Sequence, residues 1–410
     1  MQLFLQEVWK AVQNVLRRPR RTIGGLVAIA VGIAVMLIAG GFIEWMFYGM
    51  REWTIHSRLG HIQVMRPDFL ERGTSDPFSF LLPVQAPQLE TVKDAPHVRA
   101  VGERLSFTGL ISREDSTASF VGEGVEPEKE ELLSQNLVVN RGQNLSAAAP
   151  DEIIVGQGLA DNLGLSPGDR IVLMTNVTAT GSLNAIEVTV RGLFSTVSKE
   201  YDDIAIRVPI AAARSLLRTT GSHVWVVLLD DTDRTDDMLT YFNERLDASQ
   251  FQIVGWTRQA DLYMKTVALF SKQVWVLKLI ITLLVILSIA NTMTMSVTER
   301  TREIGTSMAL GHTRRRVLRG FVLESFLLGA LGACIGLVIG LALATLLSWI
   351  GIPMPPPPGM ARGYVAQISI TGSLARDAML LALGSATLGG LFPAWKASRM
   401  EIVDALRHAA

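Results

Sequence analysis

Four long apolar stretches constrain this chain more than any other feature of its sequence. They occupy residues 22–43, 279–297, 325–350 and 378–395, and none of them contains a charged side chain. A helix needs roughly 20 apolar residues to cross a hydrocarbon core about 30 Å thick. Charged residues make up 19% of the chain, compared with about 25% in an average soluble protein. The sequence therefore predicts a membrane protein with four transmembrane helices.

The first apolar stretch follows Arg17, Arg18, Arg20 and Arg21, an arrangement that signal peptides share. Its apolar core is longer than that of a signal peptide, and no small-residue cleavage site follows Ile43. We therefore expect this stretch to be an uncleaved membrane anchor.

Lysine and arginine residues are unevenly distributed around the four stretches. Five precede the first stretch, six lie between the second and the third, and three follow the fourth, whereas only Arg362 and Arg376 lie between the third and the fourth. Cytoplasmic segments carry the excess of basic residues in membrane proteins. This rule predicts that both termini and the middle loop are cytoplasmic, and that residues 45–272 lie on the other side of the membrane.

The formal net charge of zero is the sum of two opposite contributions. Residues 45–272 contain 21 basic and 30 acidic side chains, and the rest of the chain holds 17 basic and 8 acidic side chains. The acidic block is the one predicted to lie outside, and most of the basic excess belongs to the predicted cytoplasmic face. A chain without a basic surplus is not expected to bind nucleic acid.

The sequence between the first two apolar stretches indicates a large domain of mixed α and β structure. Short β-rich or alternating runs at 61–65, 152–155, 170–174, 185–193 and 224–229 are separated by turn residues and short helical segments. It shows no Ser/His/Asp set in motif context, no G-x-S-x-G and no metal-binding spacing, and Cys334 is the only cysteine of the chain. We therefore predict an α+β extracytoplasmic domain without catalytic function or a metal site.

Residues 256–303 contain neither glycine nor proline. As one helix this run would be about 70 Å long at roughly 1.5 Å per residue, more than twice the thickness of the hydrocarbon core. The second membrane helix is therefore expected to continue outward as a stalk, and the first to do the same through Trp45, Tyr48 and Trp53. The alternative is a break of the long helix near Ser271.

The segment after the second apolar stretch combines a charged helical end, a short apolar patch at Met308, Ala309 and Leu310, and a basic cluster after Gly311. The arginines by themselves are explained by positive-inside topology and contact with lipid headgroups. A short interfacial helix between hinges at Gly305 and Gly311 would also provide a docking surface for a cytoplasmic partner.

Gly332, Gly336 and Gly340 recur every four residues in the third apolar stretch. Small residues at this spacing let membrane helices approach closely, so we expect a helix-packing face there. The row Gly24, Ala28 and Gly32 in the first stretch permits the same interpretation. The stretches have almost no interior charge, with Glu324 at an edge where snorkelling explains it, and this argues against a channel or an ion-coupled transporter.

Three separated motifs resemble one protein family. Residues 298–305 (T-E-R-T-R-E-I-G) with 309–311 (A-L-G) look like the signature of FtsX-like permeases of ABC transporters of the MacB/LolC type. Residues 393–399 with 403–407 are similar to the C-terminal pattern of that family, although Ile402 replaces a proline common there, and residues 151–169 resemble its periplasmic core domain.

The resemblance implies a non-catalytic permease half that works as a dimer with a second copy or a paralogue, in a bacterial inner membrane. Its cytoplasmic loop would engage a separate ATPase subunit, which would bind ATP and Mg²⁺, because this chain has no G-x-x-x-x-G-K-[ST] loop of its own. MacB-type chains carry a fused ATPase domain, whereas this sequence starts with the helix that leads into the membrane. The ATPase-engaging residues would be Arg302, Glu303, Ile304, Gly305, Met308, Ala309, Leu310 and Gly311.

The strand start at Gly60 and the chain length favour the lipoprotein-releasing LolC/LolE branch, with a lipoprotein or a periplasmic adaptor as outside partner. The alternatives are export of a hydrophobic compound or peptide, regulation of an external enzyme as in FtsX, and a membrane receptor without an ATPase. The predicted division of the chain is an interfacial helix (1–21), membrane helices (22–44, 273–297, 321–350 and 378–395), an external core domain with stalks (45–272), a coupling loop (298–320), an external Pro-rich loop (351–377) and a cytoplasmic tail (396–410).

Overall fold

The computed structural model describes residues 19–73, 77–84, 86–114, 116–177, 182–196, 198–355 and 363–401. The predicted interfacial helix before residue 19 and the tail pattern at 403–407 lie outside the described residues. The described residues divide into two compact units, of which the first comprises residues 19–48, 266–353 and 365–401 and the second comprises the described residues from 49 to 265 with 354, 355, 363 and 364.

The elements of the described residues are numbered in chain order. The helices are α1 (Pro19–Thr54), α2 (Phe69–Arg72), α3 (Pro87–Lys93), α4 (Pro127–Leu133), α5 (Gln157–Leu163), α6 (Lys199–Asp202), α7 (Ile210–Leu217), α8 (Thr235–Arg245), α9 (Asp261–Glu299), α10 (Thr301–Ala309), α11 (Arg314–Ile350) and α12 (Gly372–Ser398). The strands are β1 (Ile62–Met65), β2 (Val98–Arg113), β3 (Ser116–Val125), β4 (Val138–Gly142), β5 (Glu152–Gly156), β6 (Arg170–Asn176), β7 (Leu183–Ser195), β8 (Ala205–Pro209), β9 (Val224–Leu229), β10 (Gln252–Gly255), β11 (Ile352–Met354) and β12 (Tyr364–Ala366).

The helices α1, α9, α11 and α12 are long and apolar enough to cross a membrane. A helix satisfies its backbone polar groups internally, which a lipid environment requires. Buried residues recur every four positions along α9 and so define one packed face: Ile281, Val285, Ile289, Met293 and Val297. Leu283, Leu284 and Leu287 are exposed on other faces of the same helix, as expected for side chains that face lipid.

Two of these helices extend past the apolar stretches that predicted them. α1 continues through Gly49 to Thr54, and a π-helical turn, Ile55–Leu59, follows it. α9 is continuous through Ser271, so the alternative of a break there is wrong.

The uninterrupted helix is nevertheless shorter than the predicted run of residues 256–303. At one end Trp256–Arg258 forms a separate 3-10 turn, in which the buried Trp256 packs edge-on against Tyr263 with 5.0 Å between ring centroids. At the other end Arg300 leaves the helical conformation, with φ −104° and ψ 13°. The helix therefore covers only the 39 residues of α9.

In the second unit, β1 to β10 form one sheet with the order β10-β1-β9-β2-β3-β8-β5-β7-β4, and β6 pairs with β2 and β7. The pairs β3–β8 and β5–β7 are parallel, and the other described pairs of this sheet are antiparallel. β9 is buried along its whole length, as its run of valines and leucines predicts. The predicted fold class, four membrane helices with an α+β domain between the first two, is confirmed.

No pattern in the sequence predicts β2, β3 or β8, although β2 and β3 are long strands near the middle of the sheet. Gly102 and Arg104 interrupt the apolar residues of β2, and Gly122 and Glu123 interrupt those of β3. Glycine and buried charge interrupt the alternation that identifies a half-buried strand. These strands form because their charged side chains find partners elsewhere in the unit.

Candidate functional site

The segment between α9 and α11 contains the residues predicted to engage an ATPase. α10 is a separate short helix of nine residues. The predicted hinge at Gly305 is wrong, because Gly305 is buried inside α10 and the chain leaves the α9 helix at Arg300. Gly311 has a φ of +96°, which glycine adopts at little cost, and it lies in the turn between α10 and α11.

The predicted residues divide between two faces of α10. Ile304, Gly305 and Met308 are buried, and Ile304 and Met308 belong to the apolar core formed by the four long helices. The predicted apolar patch is therefore not continuous, since Met308 faces the core while Leu310 is 80% exposed. Arg302, Glu303, Ala309 and Gly311 are exposed together with Leu310.

The exposed face of α10 borders an open cavity of about 430 Å³. Arg302, Glu303 and Leu310, which were predicted, line it together with residues that the sequence analysis missed: Thr306, Ser307 and His312. The Ser307 hydroxyl hydrogen-bonds the Nδ1 atom of His312. The cavity thus presents one basic and one acidic side chain, hydroxyl groups, an imidazole and one large apolar side chain, a surface suited to a protein partner.

Arg300 lies at the break between α9 and α10, and its side chain attaches this part of the chain to α11. Its Nη1 atom donates to Glu324 Oε2 at 3.1 Å, its Nε atom donates to Glu303 Oε2 at 3.2 Å, and its guanidinium lies 5.4 Å from the centroid of the Phe321 ring. The Glu324 side chain is 8% exposed, so it forms a buried ion pair and does not snorkel as the sequence analysis expected. Glu324 is the one acidic residue in the sequence of α11. A single acidic residue in an otherwise apolar helix is the sequence feature that could have indicated a buried ion pair.

The glycine row of α11 lies against α1. A methyl group at Gly332 would lie 2.8 Å from Ile29 Cβ, one at Gly336 would lie 2.7 Å from the Ala30 carbonyl oxygen, and one at Gly340 would lie 2.8 Å from Leu37 Cδ1. These distances are shorter than van der Waals contact, so each position requires the absence of a side chain.

The corresponding row of α1 is arranged differently. A methyl group at Gly32 would lie 3.2 Å from the Ile281 side chain of α9, whereas Gly24 has no neighbouring atom within 4 Å of that position. A methyl group at Gly25 would lie 3.1 Å from the Thr292 hydroxyl oxygen of α9. Gly25 is therefore the second glycine of α1 that faces α9.

In the second unit, buried side chains hold the π-helical turn that follows α1. Arg207 Nη2 donates to the Ser57 carbonyl oxygen at 3.0 Å, the Ser134 hydroxyl donates to the same oxygen at 3.1 Å, and Arg104 Nη1 donates to the Arg58 carbonyl oxygen. The last carbonyl groups of a helix have no partner within the helix. Here side chains from the sheet and from α4 supply those partners.

The same arginines form an ion cluster with two buried glutamates. Arg207 donates to Glu130 at 2.8 Å and lies 3.5 Å from Glu123, Arg104 donates to Glu130 at 2.7 Å, and Arg58 donates to Glu123 at 3.0 Å. No short motif joins these five residues, which lie on β2, β3, β8, α4 and the π-helical turn. The sequence analysis missed this cluster for that reason.

Electrostatics in this cluster favour the ionised carboxylate. Burial alone would raise the pKa of Glu123, but the guanidiniums of Arg58, Arg207 and Arg104 outweigh it and hold the pKa at about 2. Burial raises the pKa of the Tyr201 hydroxyl to about 12, so this phenol stays neutral. Glu123 therefore stays ionised over the physiological pH range.

His61 is a buried neutral histidine in the same unit. Its Nδ1 atom accepts from the Leu229 backbone N–H at 3.1 Å, so the proton of the neutral ring is on Nε2, 2.9 Å from the Thr232 hydroxyl. Burial, and next the neighbouring His56, lower the pKa of His61 to about 4.

Within the described part of the chain, no group of three or more His, Cys, Asp or Glu side chains could hold a metal ion.

Two families match separate parts of the chain. The MacB-like periplasmic core domain matches residues 23–243, more than half of the chain, and the FtsX-like permease C-terminal family matches residues 275–402.

Individual proteins are similar over different lengths. The macrolide export ATP-binding/permease protein MacB of Syntrophobacter fumaroxidans is 32% identical over 166 residues, which cover 40% of this chain and 21% of that protein. The lipoprotein-releasing system transmembrane protein LolC of Xylella fastidiosa is 25% identical over 343 residues, 76% of this chain and 78% of LolC. The solved periplasmic region of MacB from Actinobacillus actinomycetemcomitans covers 53% of this chain and 95% of its own length, at 11% identity and a TM-score of 0.35. The chain thus spans about a fifth of the length of that curated MacB relative.

Proposed function

This chain belongs to the ABC transporter permeases of the MacB/FtsX/LolC type, and from that premise we propose that it is a permease subunit driven by a separate cytoplasmic ATPase. The subunit lies in a bacterial inner membrane with both termini in the cytoplasm and pairs with a second copy or a paralogue. The ATPase binds ATP and Mg²⁺, and this chain has no catalytic role of its own.

The two-faced packing of α10 is the observation that carries this proposal. Ile304 and Met308 attach α10 to the apolar core of the first unit, while Arg302, Glu303 and Leu310 remain exposed around the open cavity. Movement of an ATPase bound to the exposed face would therefore be transmitted to the membrane helices through the buried face. Arg300 supports this role, because its ion pair with Glu324 joins the start of α10 to α11.

We propose that the long helices then transmit the movement to the external domain. The continuous α9 of 39 residues and α1 of 36 residues support this idea. A stiff helix transmits displacement, whereas a flexible linker absorbs it.

Release of lipoproteins from the inner membrane is the cargo function we favour, since the LolC relative matches 76% of this chain. Export of a hydrophobic compound or peptide is the second candidate, and the match to the macrolide export protein MacB favours it. Regulation of an external enzyme, the FtsX-like role, is the third.

Co-purification tests the ATPase partnership. The full chain is isolated from its native host in a mild detergent, and the co-purified nucleotide-binding subunit is quantified by mass spectrometry. We expect a stoichiometric ATPase with the unaltered chain, and its loss from Leu310→Glu and Glu303→Ala. Glu401→Ala, at another exposed glutamate, is the charge-matched control and should retain the ATPase. A preparation without any ATPase subunit would refute the proposal.

Photo-crosslinking distinguishes the cargo candidates. A photoreactive residue at Leu183, which is 65% exposed in the second unit, is activated in living cells, and the crosslinked products are identified. An acylated lipoprotein supports the favoured function. A periplasmic adaptor protein supports export, and a cell-wall enzyme or its activator supports regulation.

A further inference from the structure

The second unit contains a partly enclosed cavity of about 280 Å³ beside the ion cluster. Its walls come from α2, from strands β1, β2, β3 and β9, and from the π-helical turn. This volume is near the lower end of the range for small-molecule sites, about 300 to 1,000 Å³. A small ligand would therefore fill it.

The lining combines apolar and polar side chains. Phe69, Leu70 and Phe107 are its large apolar residues, and Arg58 and Glu123 are among its charged residues. The Gln259 side-chain amide, also in the lining, donates to Gln63 Oε1 at 2.6 Å. A ligand with both a polar and an apolar group matches this mixed lining.

Arg58 provides a fixed positive group at the cavity. Its Nε atom is bound to Glu123 Oε1 and its guanidinium lies 4.5 Å from the centroid of the Tyr201 ring, yet its side chain is 44% exposed. Its side chain makes no other hydrogen bond within the described residues, so both Nη atoms are available to another acceptor. A guanidinium held in this way loses little conformational freedom when it binds an anion.

The charge balance of the cluster also favours an anion. Arg58, Arg104 and Arg207 carry three positive charges, and Glu123 and Glu130 carry two negative charges. The surplus is accessible at Arg58, whose side chain is 44% exposed and can be reached by a ligand. Asp202, a further buried carboxylate near Arg207, accepts hydrogen bonds from the Thr196 backbone N–H at 2.9 Å and from the Thr196 hydroxyl at 2.7 Å.

We propose that this cavity binds a small amphiphilic anion, a carboxylate on a short apolar body, with the carboxylate on the Nη atoms of Arg58 and the body against Phe69, Leu70 and Phe107. Such a carboxylate occurs on a short acyl chain and at the end of a peptide. The proposal concerns ligand binding alone and does not depend on the ATPase partnership.

Calorimetric titration of the full chain in lipid nanodiscs tests the proposal. The probes are hexanoate, its neutral analogue hexanamide, and N-acetyl-leucine, which carries the carboxylate on a peptide-like body. We expect at least one of the two acids to bind about tenfold or more tightly than hexanamide, as a charge-assisted hydrogen bond predicts. A preference between the two acids identifies an acyl chain or a peptide end as the source.

Three variants make the test specific. Arg58→Gln should remove the preference for the carboxylate, and Leu70→Trp, which fills part of the cavity, should weaken binding of the preferred acid while Arg58 stays in place. Arg170→Gln alters an arginine whose side chain is 79% exposed and lies outside the cavity lining, and it should bind as the unaltered chain does. Thermal unfolding of each variant confirms that it folds.

Two results would overturn the proposal. One is equal or undetectable binding of the acids and hexanamide at millimolar concentration. The other is an unchanged carboxylate preference in a folded Arg58→Gln variant, or unchanged binding in Leu70→Trp if Arg58→Gln does not fold.

Discussion

Glu130 is the residue on which most of the buried ion cluster converges. Its Oε1 atom accepts from Arg104 and Arg207, and the Ser134 hydroxyl oxygen lies beside it. Ion pairs of this kind are not a strong source of stability, because both charges lose their hydration on burial. Removal of one partner is nevertheless costly, because it leaves the opposite charge buried without compensation.

This asymmetry predicts a large effect from a small change at Glu130. Glu130→Gln keeps the size of the side chain but removes its charge, and we expect the free energy of unfolding to fall by about 3 kcal/mol. Tryptophan fluorescence during denaturant unfolding of the full chain in detergent measures it. Glu131→Gln, at the exposed neighbouring position, should have little effect, and equal stabilities of the two variants would contradict the cluster's role.

The buried His61 predicts that acid destabilises the second unit. Its pKa is about 4 in the folded protein against 6.5 for an ordinary histidine, so between these values the unfolded chain binds the additional proton. The stability from this residue is fully present above pH 6.5 and is lost as the pH falls towards 4, by about 3 kcal/mol. Glu123 has a pKa of about 2 in the folded protein against 4.5 for an ordinary glutamate. It therefore contributes a further loss of stability as the pH falls from 4.5 towards 2.

Unfolding of the full chain measured from pH 7 to pH 4 checks this dependence. His61→Asn should unfold with a shallower pH dependence over that window. His97→Asn, at a histidine whose side chain is 37% exposed, is the control and should keep the slope of the unaltered chain.

At the scale of elements, the membrane helices pack through the absence of side chains at selected positions. Gly336 lies against Ala30 and Ile33, while a methyl group at Gly320 on the same helix would have no neighbouring atom within 4 Å. Alanine favours a helix over glycine by about 1 kcal/mol at either site. The two positions therefore differ in packing and not in helix propensity.

We expect opposite effects from alanine at these two glycines. Gly336→Ala should lower the thermal stability of the detergent-solubilised chain, because its methyl group would overlap α1, whereas Gly320→Ala should leave it unchanged or raise it. Loss of native fluorescence on heating provides the measurement. A Gly336→Ala variant as stable as Gly320→Ala would show that α1 can move aside at no cost.

The stalk proposal predicts that coupling depends on the continuity of α9. Phe270 lies within α9 and packs edge-on against Phe47, with 6.3 Å between ring centroids. Phe270→Pro should break the helix at a cost of about 3 kcal/mol and abolish transport while ATPase binding is retained. Phe270→Ala removes the same ring without a break and should keep most of the activity. Full transport by Phe270→Pro, measured in cells, would rule the stalk out.

At the scale of the whole molecule, the unequal charge of the two parts of the chain predicts its orientation. The block of residues 45–272 has nine more acidic than basic side chains, and the basic excess of the remainder is concentrated at the proposed cytoplasmic face. Retention of the short basic loops in the cytoplasm follows the usual rule for membrane proteins.

Cysteine labelling tests this orientation because Cys334 is the only native cysteine. In a Cys334→Ala background, Leu183→Cys should react with a membrane-impermeant maleimide in spheroplasts. Leu310→Cys should react only after the membrane is permeabilised, since α10 is proposed to be cytoplasmic. The reverse pattern would invert the topology and exclude α10 as the site of a cytoplasmic ATPase.

The sequence by itself determined the four membrane helices and the inserted α+β domain. Hydropathy and basic-residue bias are properties of contiguous segments, so they are readable without knowledge of the fold. The sequence also located the segment around α10 as the candidate docking region, although it placed a hinge at Gly305.

Only the tertiary structure decided which side chains act together. It separated the buried Met308 from the exposed Leu310, paired Arg300 with Glu324, and joined Arg58 to Glu123 beside a cavity. These residues are distant in sequence or differ only in the helix face they occupy. Their interactions arise when packed helices and strands bring them together, and no local pattern of residues encodes that proximity.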